Sequence, residues 1–480
     1  MKKRASGILM PISALPGRYG IGDFGRKAYQ FVDFLSKSNQ HYWQILPMVM
    51  TGPGNSPYQS VSAFAGNPLY INLDEHASYL DDTWHRTDYD RAWEIKDKLL
   101  RSLFIEKRKE WEEEMTLFYK KEQSWLRPFS LFLSIKAHMK NRPWQTWPEK
   151  YKDINSSQVQ NFEQSNQDEI KYWHFTQYLF YSQWKELKRY ANDRGVKIMG
   201  DLPIYVADDS ADVWASPQLF KLDSNGHPLF KAGVPPDAFS KEGQLWGNPV
   251  YNWNIMEERG YDWWKKRIEH SFKLVDSLRL DHFRGFESYW EIEYDAKDAT
   301  TGQWVKGPGM KLFDALKDEL GDLDIIAEDL GLITDEVQEL IKETGFPGMR
   351  VLQFAFDDNM ANPHLPHNHE KNDVVYTGTH DNNTIMGWWE NLSTHRRMDV
   401  REYFKLNKDE GINWGMIRGA WSSPAYLSIA QMQDFLCLGS EARMNIPATP
   451  KGNWTWRLEH SLLTDQLAEK ISVLTKQYGR

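Results

Sequence analysis

Four carboxylates stand at the ends of short β-rich segments: Asp201 in GDLPIYV, Asp281 in SLRLDHF, Glu328 in DIIAEDL and Asp381 in DVVYTGTHD. One acidic strand end alone would read as a helix cap or an arginine partner. Four together point to a reaction. Cleaving a glycosidic bond with retention needs one carboxylate to attack the anomeric carbon. It also needs a carboxylic acid, about 5–5.5 Å away, to protonate the departing oxygen. Arg279 lies two residues before Asp281, so both side chains leave the strand on one face, where the guanidinium would keep Asp281 ionised. Glu328 would instead hold its proton, its pKa raised by neighbouring carboxylates in a closed site.

Such groups need a rigid frame. Eight β-rich segments recur along the chain: GILMPISAL from Gly7, YWQILPM from Tyr42, VKIMGDLPIYV from Val196, SLRLDHF from Ser277, DIIAEDL from Asp324, GMRVLQF from Gly348, DVVYTGTH from Asp373, and an apolar run from Leu427 to Leu438. Helical stretches separate them. Between the second and third, Trp173, Phe180, Trp184, Leu187 and Ala191 repeat at helical spacing and Gly195 closes the run. Strands alternating with helices pair in parallel, and eight such units predict an α/β (β/α)8 TIM barrel whose active site lies at the C-terminal strand ends.

The chain is 480 residues long, whereas a barrel takes about 250, so the expectation is one catalytic barrel domain over 1–480 with insertions. The first, about 73–166, is read as a helical subdomain, and its charged run EKRKEWEEE from Glu106 as a solvated helix face. The second, about 207–262, is rich in Pro, Gly, Asp and Trp and is read as a lid of loops.

Composition narrows the partners. Net charge of −9 offers no general attraction for nucleic acid. No run of about 18 apolar residues is present to span a membrane, and the basic Met1-Lys2-Lys3-Arg4 opening is followed by too short an apolar stretch for a signal peptide. The single cysteine, Cys437, cannot form an internal disulfide, which fits the cytoplasm. Trp, Tyr and Phe make up 14% of residues, enough for some to line a groove against the C–H faces of sugars as well as fill the core.

Two motifs are set aside. Gly20-Ile21-Gly22-Asp23-Phe24-Gly25 fits the dinucleotide fingerprint, but the next strand ends in Leu46-Pro47-Met48 with no acid for a ribose, so a tight strand-to-helix turn is expected. His364, His367, His369 and Glu370 have metal-ligand chemistry but not the spacing of a helical pair, and read as a polar surface loop. No cofactor and no metal is expected.

SLRLDHF, AEDL and TGTHD resemble the second, third and fourth conserved segments of the α-amylase clan. GDLPIYVADDSADVW, SPYQSVSAFAGNP, PPDAFSKEGQLWGNP and RMNIP are similar to the 4-α-glucanotransferase (amylomaltase) family, glycoside hydrolase family 77, across nearly the whole chain. The resemblance implies Asp281 as nucleophile, Glu328 as acid/base and Asp381 as transition-state stabiliser. It also implies that Asp201, Arg279, His282 and His380 hold sugar hydroxyls and that Tyr58, Trp246 and Asn445 contact the glucan. The chain departs from the family at Ala448, where relatives often carry Gly. It departs from α-amylases at Tyr205 and Val206, where those enzymes have an Asn-His pair that includes a calcium ligand. About forty residues follow the eighth strand, too few for a C-terminal β-sandwich, and a closing helix is expected near Ser461 to Gln477.

The implied substrates are α-1,4-glucans and maltooligosaccharides, with glucose as acceptor or product. Carboxylates alone do not choose the acceptor: a covalent glycosyl intermediate can be taken by water or by a sugar hydroxyl. The aromatic lid around Trp246 favours transfer. An α-glucan hydrolase and a non-catalytic glucan-binding barrel are the alternatives, and the oligomeric state is left open.

Overall fold

The computed structural model describes residues 2–52, 54–74, 85–236, 241–449 and 451–480. Twelve strands occur among them: β1 Ala5–Leu9, β2 Tyr42–Gln44, β3 Lys197–Leu202, β4 Phe230–Val234, β5 Gln244–Pro249, β6 Ser277–Leu280, β7 Ser288–Glu293, β8 Gln303–Lys306, β9 Ile325–Ala327, β10 Met349–Val351, β11 Val374–Tyr376 and β12 Leu427–Gln431.

Each of the eight apolar segments yields one parallel strand, joined in the order β10-β11-β12-β1-β2-β3-β6-β9. Ala327 N at the end of β9 donates to Pro347 O at 2.9 Å, just before β10, so the two edges of the sheet meet. These strands are buried along almost their whole length, as parallel strands covered on both faces must be. The frame is the (β/α)8 barrel the alternation predicts. Asp201 is the penultimate residue of β3, Asp281 and Glu328 directly follow β6 and β9, and Asp381 lies five residues past β11. All four acids are therefore at the C-terminal mouth.

The predicted long helix spans Gln167–Asp193 and buries Trp173, Phe180, Trp184, Leu187 and Ala191. Gly195 follows it with φ +75°, a left-handed stop that costs a residue without Cβ little. The closing helix is Asp465–Gln477.

Within 85–166 the chain forms helices Tyr89–Lys107, Glu112–His138, Glu149–Lys152 and Ser157–Ser165, while residues 75–84 of the first expected insertion lie outside the described residues. The charged run from Glu106 turns between the first two helices. Its acids face outward, Glu112, Glu113 and Glu114 sit favourably in a first helical turn, and Trp111 folds inward to stack on Phe175 at 5.8 Å.

The segment 207–262 carries more order than loops. β4 and β5 pair antiparallel and join β7 and β8 in a four-stranded sheet, β5-β4-β7-β8, that stands outside the barrel. Residues 237–240 of the motif beginning at Pro235 lie outside the described residues.

The Gly20–Gly25 segment is a buried turn leading into the helix Arg26–Lys37. A Cβ on Gly22 would lie 2.0 Å from Ile12 O, so backbone packs directly on that glycine. Asp23 accepts from the fully buried Lys96 Nζ at 2.9 Å, and the same ammonium satisfies Leu69 O and Ile71 O. The histidine segment is a surface loop only in part: His367 and Glu370 are exposed, His364 is half-buried and His369 is buried. Its Nδ1 bonds Ser423 Oγ at 2.7 Å and its Nε2 bonds His364 O at 3.0 Å, while His364 Nδ1 accepts from Val351 N. These imidazoles brace the β10 crossover, a use that spacing alone does not reveal.

Candidate active site

Parallel register builds the centre. Asp201 on β3 lies directly opposite Arg279 on β6, and Arg279 Nη1 donates to both Asp201 oxygens at 2.7 Å. The same nitrogen lies 3.1 Å from Asp281 Oδ1, and Nη2 lies 4.0 Å from Glu328 Oε2. One buried guanidinium thus faces three carboxylates. A single positive charge cannot balance three negative ones in a closed site, so the group holds a proton.

Glu328 is the residue that keeps it. Burial pushes its carboxyl well up, opposed by Arg279 and helped by the Asp281 charge. Asp281 is also raised by burial, but Arg279 opposes that at closer range, so the proton of the pair rests on Glu328. The sequence-based expectation that Arg279 favours the charged form of Asp281 has the right sign but omits the larger effect of burial. Glu328 accepts from His282 N at 2.7 Å and Leu330 N at 2.8 Å, which fixes both its oxygens.

His282 pays for this placement with a left-handed backbone, φ +49°, of the kind that costs a non-glycine residue about 1–2 kcal/mol. Its ring meets Trp246 edge-on at 4.7 Å, and burial lowers its pKa to about 3, so the imidazole is neutral. Its Nε2 is buried with no hydrogen-bond partner among the described residues.

The remaining predicted residues join the same cluster. Tyr58 OH donates to Asp201 Oδ2 at 2.7 Å, and its ring stacks on His380 at 5.2 Å. His380 Nε2 lies 3.4 Å from Asp381 Oδ2. Asn445 Nδ2 donates to Asp381 Oδ1 at 2.6 Å, and Arg443 donates to the Asp381 carbonyl at 2.5 Å. Ala448, close behind, has φ +61°, the conformation that favours the glycine of its relatives.

A cleft of about 960 Å³ opens over these groups, lined by Tyr58, Trp246, Arg279, Asp281, His282, Glu328, Asp381 and Asn445. Asp201 and His380 lie beneath its floor, where they hold Arg279, Tyr58 and Asp381. Sequence reasoning missed Gln59, whose Nε2 donates to Trp246 O at 3.0 Å and Asn248 Oδ1 at 2.9 Å. Its place beside Tyr58 was the available signal. Arg443, Gln353, Trp304 and Trp454 also line the cleft and carried no signal beyond proximity to motifs.

Three acids around one buried arginine at the C-terminal mouth of a (β/α)8 barrel, beneath an aromatic-rimmed cleft, define the class of barrel enzymes that act on glycosidic bonds. Comparison with known proteins narrows the class. The 4-alpha-glucanotransferase family of glycoside hydrolases matches residues 10–464. The chain is similar to the 4-alpha-glucanotransferase of Clostridium butyricum, 49% identical over 98% of this chain and 100% of that one. It is also similar to that of Thermus thermophilus, 43% identical over 99% of both. Among solved structures, amylomaltase from Streptococcus agalactiae in complex with acarbose superposes with a TM-score of 0.95 at 42% identity over the full length of both chains. The chain belongs to the 4-alpha-glucanotransferase family, whose members transfer segments of α-1,4-glucans.

Proposed function

We propose that this enzyme is a retaining maltodextrin disproportionating transferase working through a covalent glycosyl-Asp281 intermediate. Glu328 protonates the leaving 4-oxygen while Asp281 attacks the anomeric carbon, and Asp381 stabilises the oxocarbenium-like transition state. Glu328, now a carboxylate, takes the proton from the 4-hydroxyl of an incoming glucan or glucose, and an α-1,4 bond forms again. The observation that carries this reading is geometric: Asp281 Oδ1 at 3.1 Å and Glu328 Oε2 at 4.0 Å flank one buried guanidinium, and burial raises the Glu328 carboxyl so that it can serve as the acid.

Arg279 and His282 line the cleft and are suited to hold sugar hydroxyls, as the resemblance implies for Asp201 and His380 also; from beneath the floor those two would act through Tyr58, Arg279 and Asp381. Tyr58, Trp246 and Asn445 would contact the chain. In this reading 1–480 is one catalytic barrel domain. The insertion of about 73–166, of which 75–84 lie outside the described residues, would be its helical subdomain, and that of about 207–262, apart from 237–240, would carry the lid and glucan-binding loops that favour sugar over water. A cytoplasmic site of action fits the one cysteine and the lack, among the described residues, of any helix long and apolar enough to cross a membrane.

Incubating the protein with maltotriose tests the reading. Transfer yields glucose together with a ladder of longer chains. Products shorter than maltotriose and nothing longer would make water the acceptor and the chain a hydrolase.

A further inference from the structure

Trp304, on β8, lines the cleft of Asp281 and Glu328 and is 40% exposed. Isolated exposed apolar residues are ordinary, and Ile105, Met360 and Met398 elsewhere on the surface call for no account. What sets Trp304 apart is its backing. The Arg284 guanidinium lies 3.8 Å from the centre of its ring, and Trp290, opposite it in register on β7, meets it edge-on at 5.1 Å. Arg284 is itself buried, donating to the Leu332 carbonyl and to Ser288 Oγ.

An indole fixed in this way loses little freedom when a ligand stacks on it. Its flat apolar surface, beside a polar cleft, matches the C–H face of a glucose ring.

The position of the ring follows from what Arg284 holds. Leu332 belongs to the segment Leu330, Gly331 and Leu332, which leaves Glu328 and lines the same cleft. The acid/base faces the departing oxygen and later the incoming hydroxyl, so the segment behind it flanks the side where leaving group and acceptor sit. Asn383 and Trp388 follow Asp381 and line the part of the cleft carried by a different loop.

We propose that Trp304, held by Arg284, is an acceptor-side platform for a glucose unit beyond the one that reacts, and that it sets the preference for oligosaccharide over glucose as acceptor. The inference rests on the transferase reading above and deepens it. Glucose, with one ring, cannot reach both the reacting position and the platform, whereas a maltooligosaccharide can.

The test measures initial transfer from one fixed donor, maltopentaose, to labelled glucose and to labelled maltotriose. In Trp304→Ala the ratio of kcat/KM for maltotriose to that for glucose falls about tenfold, the size of one lost aromatic contact with its apolar area. Trp304→Phe keeps the ratio within about twofold because a flat ring remains. Trp304→Leu, which keeps apolar bulk without the plane, replaces the alanine variant if that one does not fold, and it also lowers the ratio. Arg284→Met loosens the ring and lowers it partway. A purely structural role would slow both acceptors alike, so an unchanged ratio in folded Trp304→Ala or Trp304→Leu overturns the proposal. Absence of any ladder with the unaltered enzyme overturns the transferase reading instead, and the two failures are distinct.

Discussion

Asp201 and Arg279 face each other across β3 and β6, and a single guanidinium nitrogen reaches both carboxylate oxygens at 2.7 Å. The pair has almost no contact with solvent, and Tyr58 completes it from above. Breaking one partner of a buried ion pair leaves a charge without compensation and costs about 3–5 kcal/mol. Arg279 keeps Asp281 at 3.1 Å, so Asp201→Ala should lower the urea unfolding free energy by less than that, about 1–3 kcal/mol for the lost charge-assisted hydrogen bonds. It should also reduce kcat on the order of 10²-fold, because Arg279 and Tyr58 lose the anchor that aims them. Near-normal stability in a urea titration would show that the clamp is held by something else.

The Asp281 side chain is only partly buried and lines the cleft, so its removal should separate chemistry from folding. Asp281→Asn is expected to keep the far-UV spectrum and an unfolding midpoint at or above the parent's while turnover of maltotriose falls by about 10⁴-fold or more. Product ladders quantified over long incubations measure this. Substantial residual transfer would remove Asp281 from the nucleophile position.

Glu328 gives a pH signature of definite sign. Its folded carboxyl is raised above the ordinary value of about 4.3, so between that value and the raised one the folded state keeps a proton the unfolded chain has lost. Its contribution to stability is therefore full below about pH 4.3 and is lost as pH rises through the folded pKa. Asp281, raised in the same direction, adds to the trend. Glu328→Gln removes the ionisation but sets an amide NH2 against one of the two backbone N–H donors at every pH, so the variant starts less stable at pH 5 and the parent should lose about 1–3 kcal/mol relative to it between pH 5 and pH 8, at the expense of activity. Urea midpoints at the two pH values decide it. In the parent, kcat/KM should fall on the alkaline side, with limbs that belong to the carboxyl pair rather than to either residue.

The eight barrel strands were legible because buried parallel strands are short apolar runs, and the long helix because Trp173, Phe180 and Trp184 repeat on one face. The site was legible through its motifs, and all ten residues singled out meet within one cluster. Distances between segments were not. That Asp201 lies under Tyr58 rather than open to the cleft depends on β3–β6 register and on a loop 143 positions earlier in the chain. The outer sheet escaped because β8 is four residues long and mostly exposed, so its pairing with β7 leaves no alternation to read. His369 was misplaced because a histidine among Pro and Asn looks solvated until Ser423, far along the chain, supplies its partner.

Water exclusion is the step on which transfer depends, and Gln59 is where it can be probed without touching the reacting carboxylates. Gln59 Nε2 bridges Trp246 O and Asn248 Oδ1, and Asn248 Nδ2 in turn holds Val206 O at 2.8 Å. The Trp246 strand is thereby tied to the segment that carries Tyr58 and to the loop after β3. Gln59→Leu keeps the side-chain bulk but removes both donor bonds, each worth about 1 kcal/mol, and leaves Trp246 free to shift by a fraction of its width. Water would then compete better for the glycosyl intermediate. The ratio of transfer to hydrolysis, read as ladder products against new reducing ends, should fall about 10-fold, with a smaller change in the total rate of donor cleavage. Trp246→Ala should move the ratio the same way and further. If the ratio holds in both variants, the acceptor is selected by contacts in the cleft alone and the aromatic strand has no part in keeping water out.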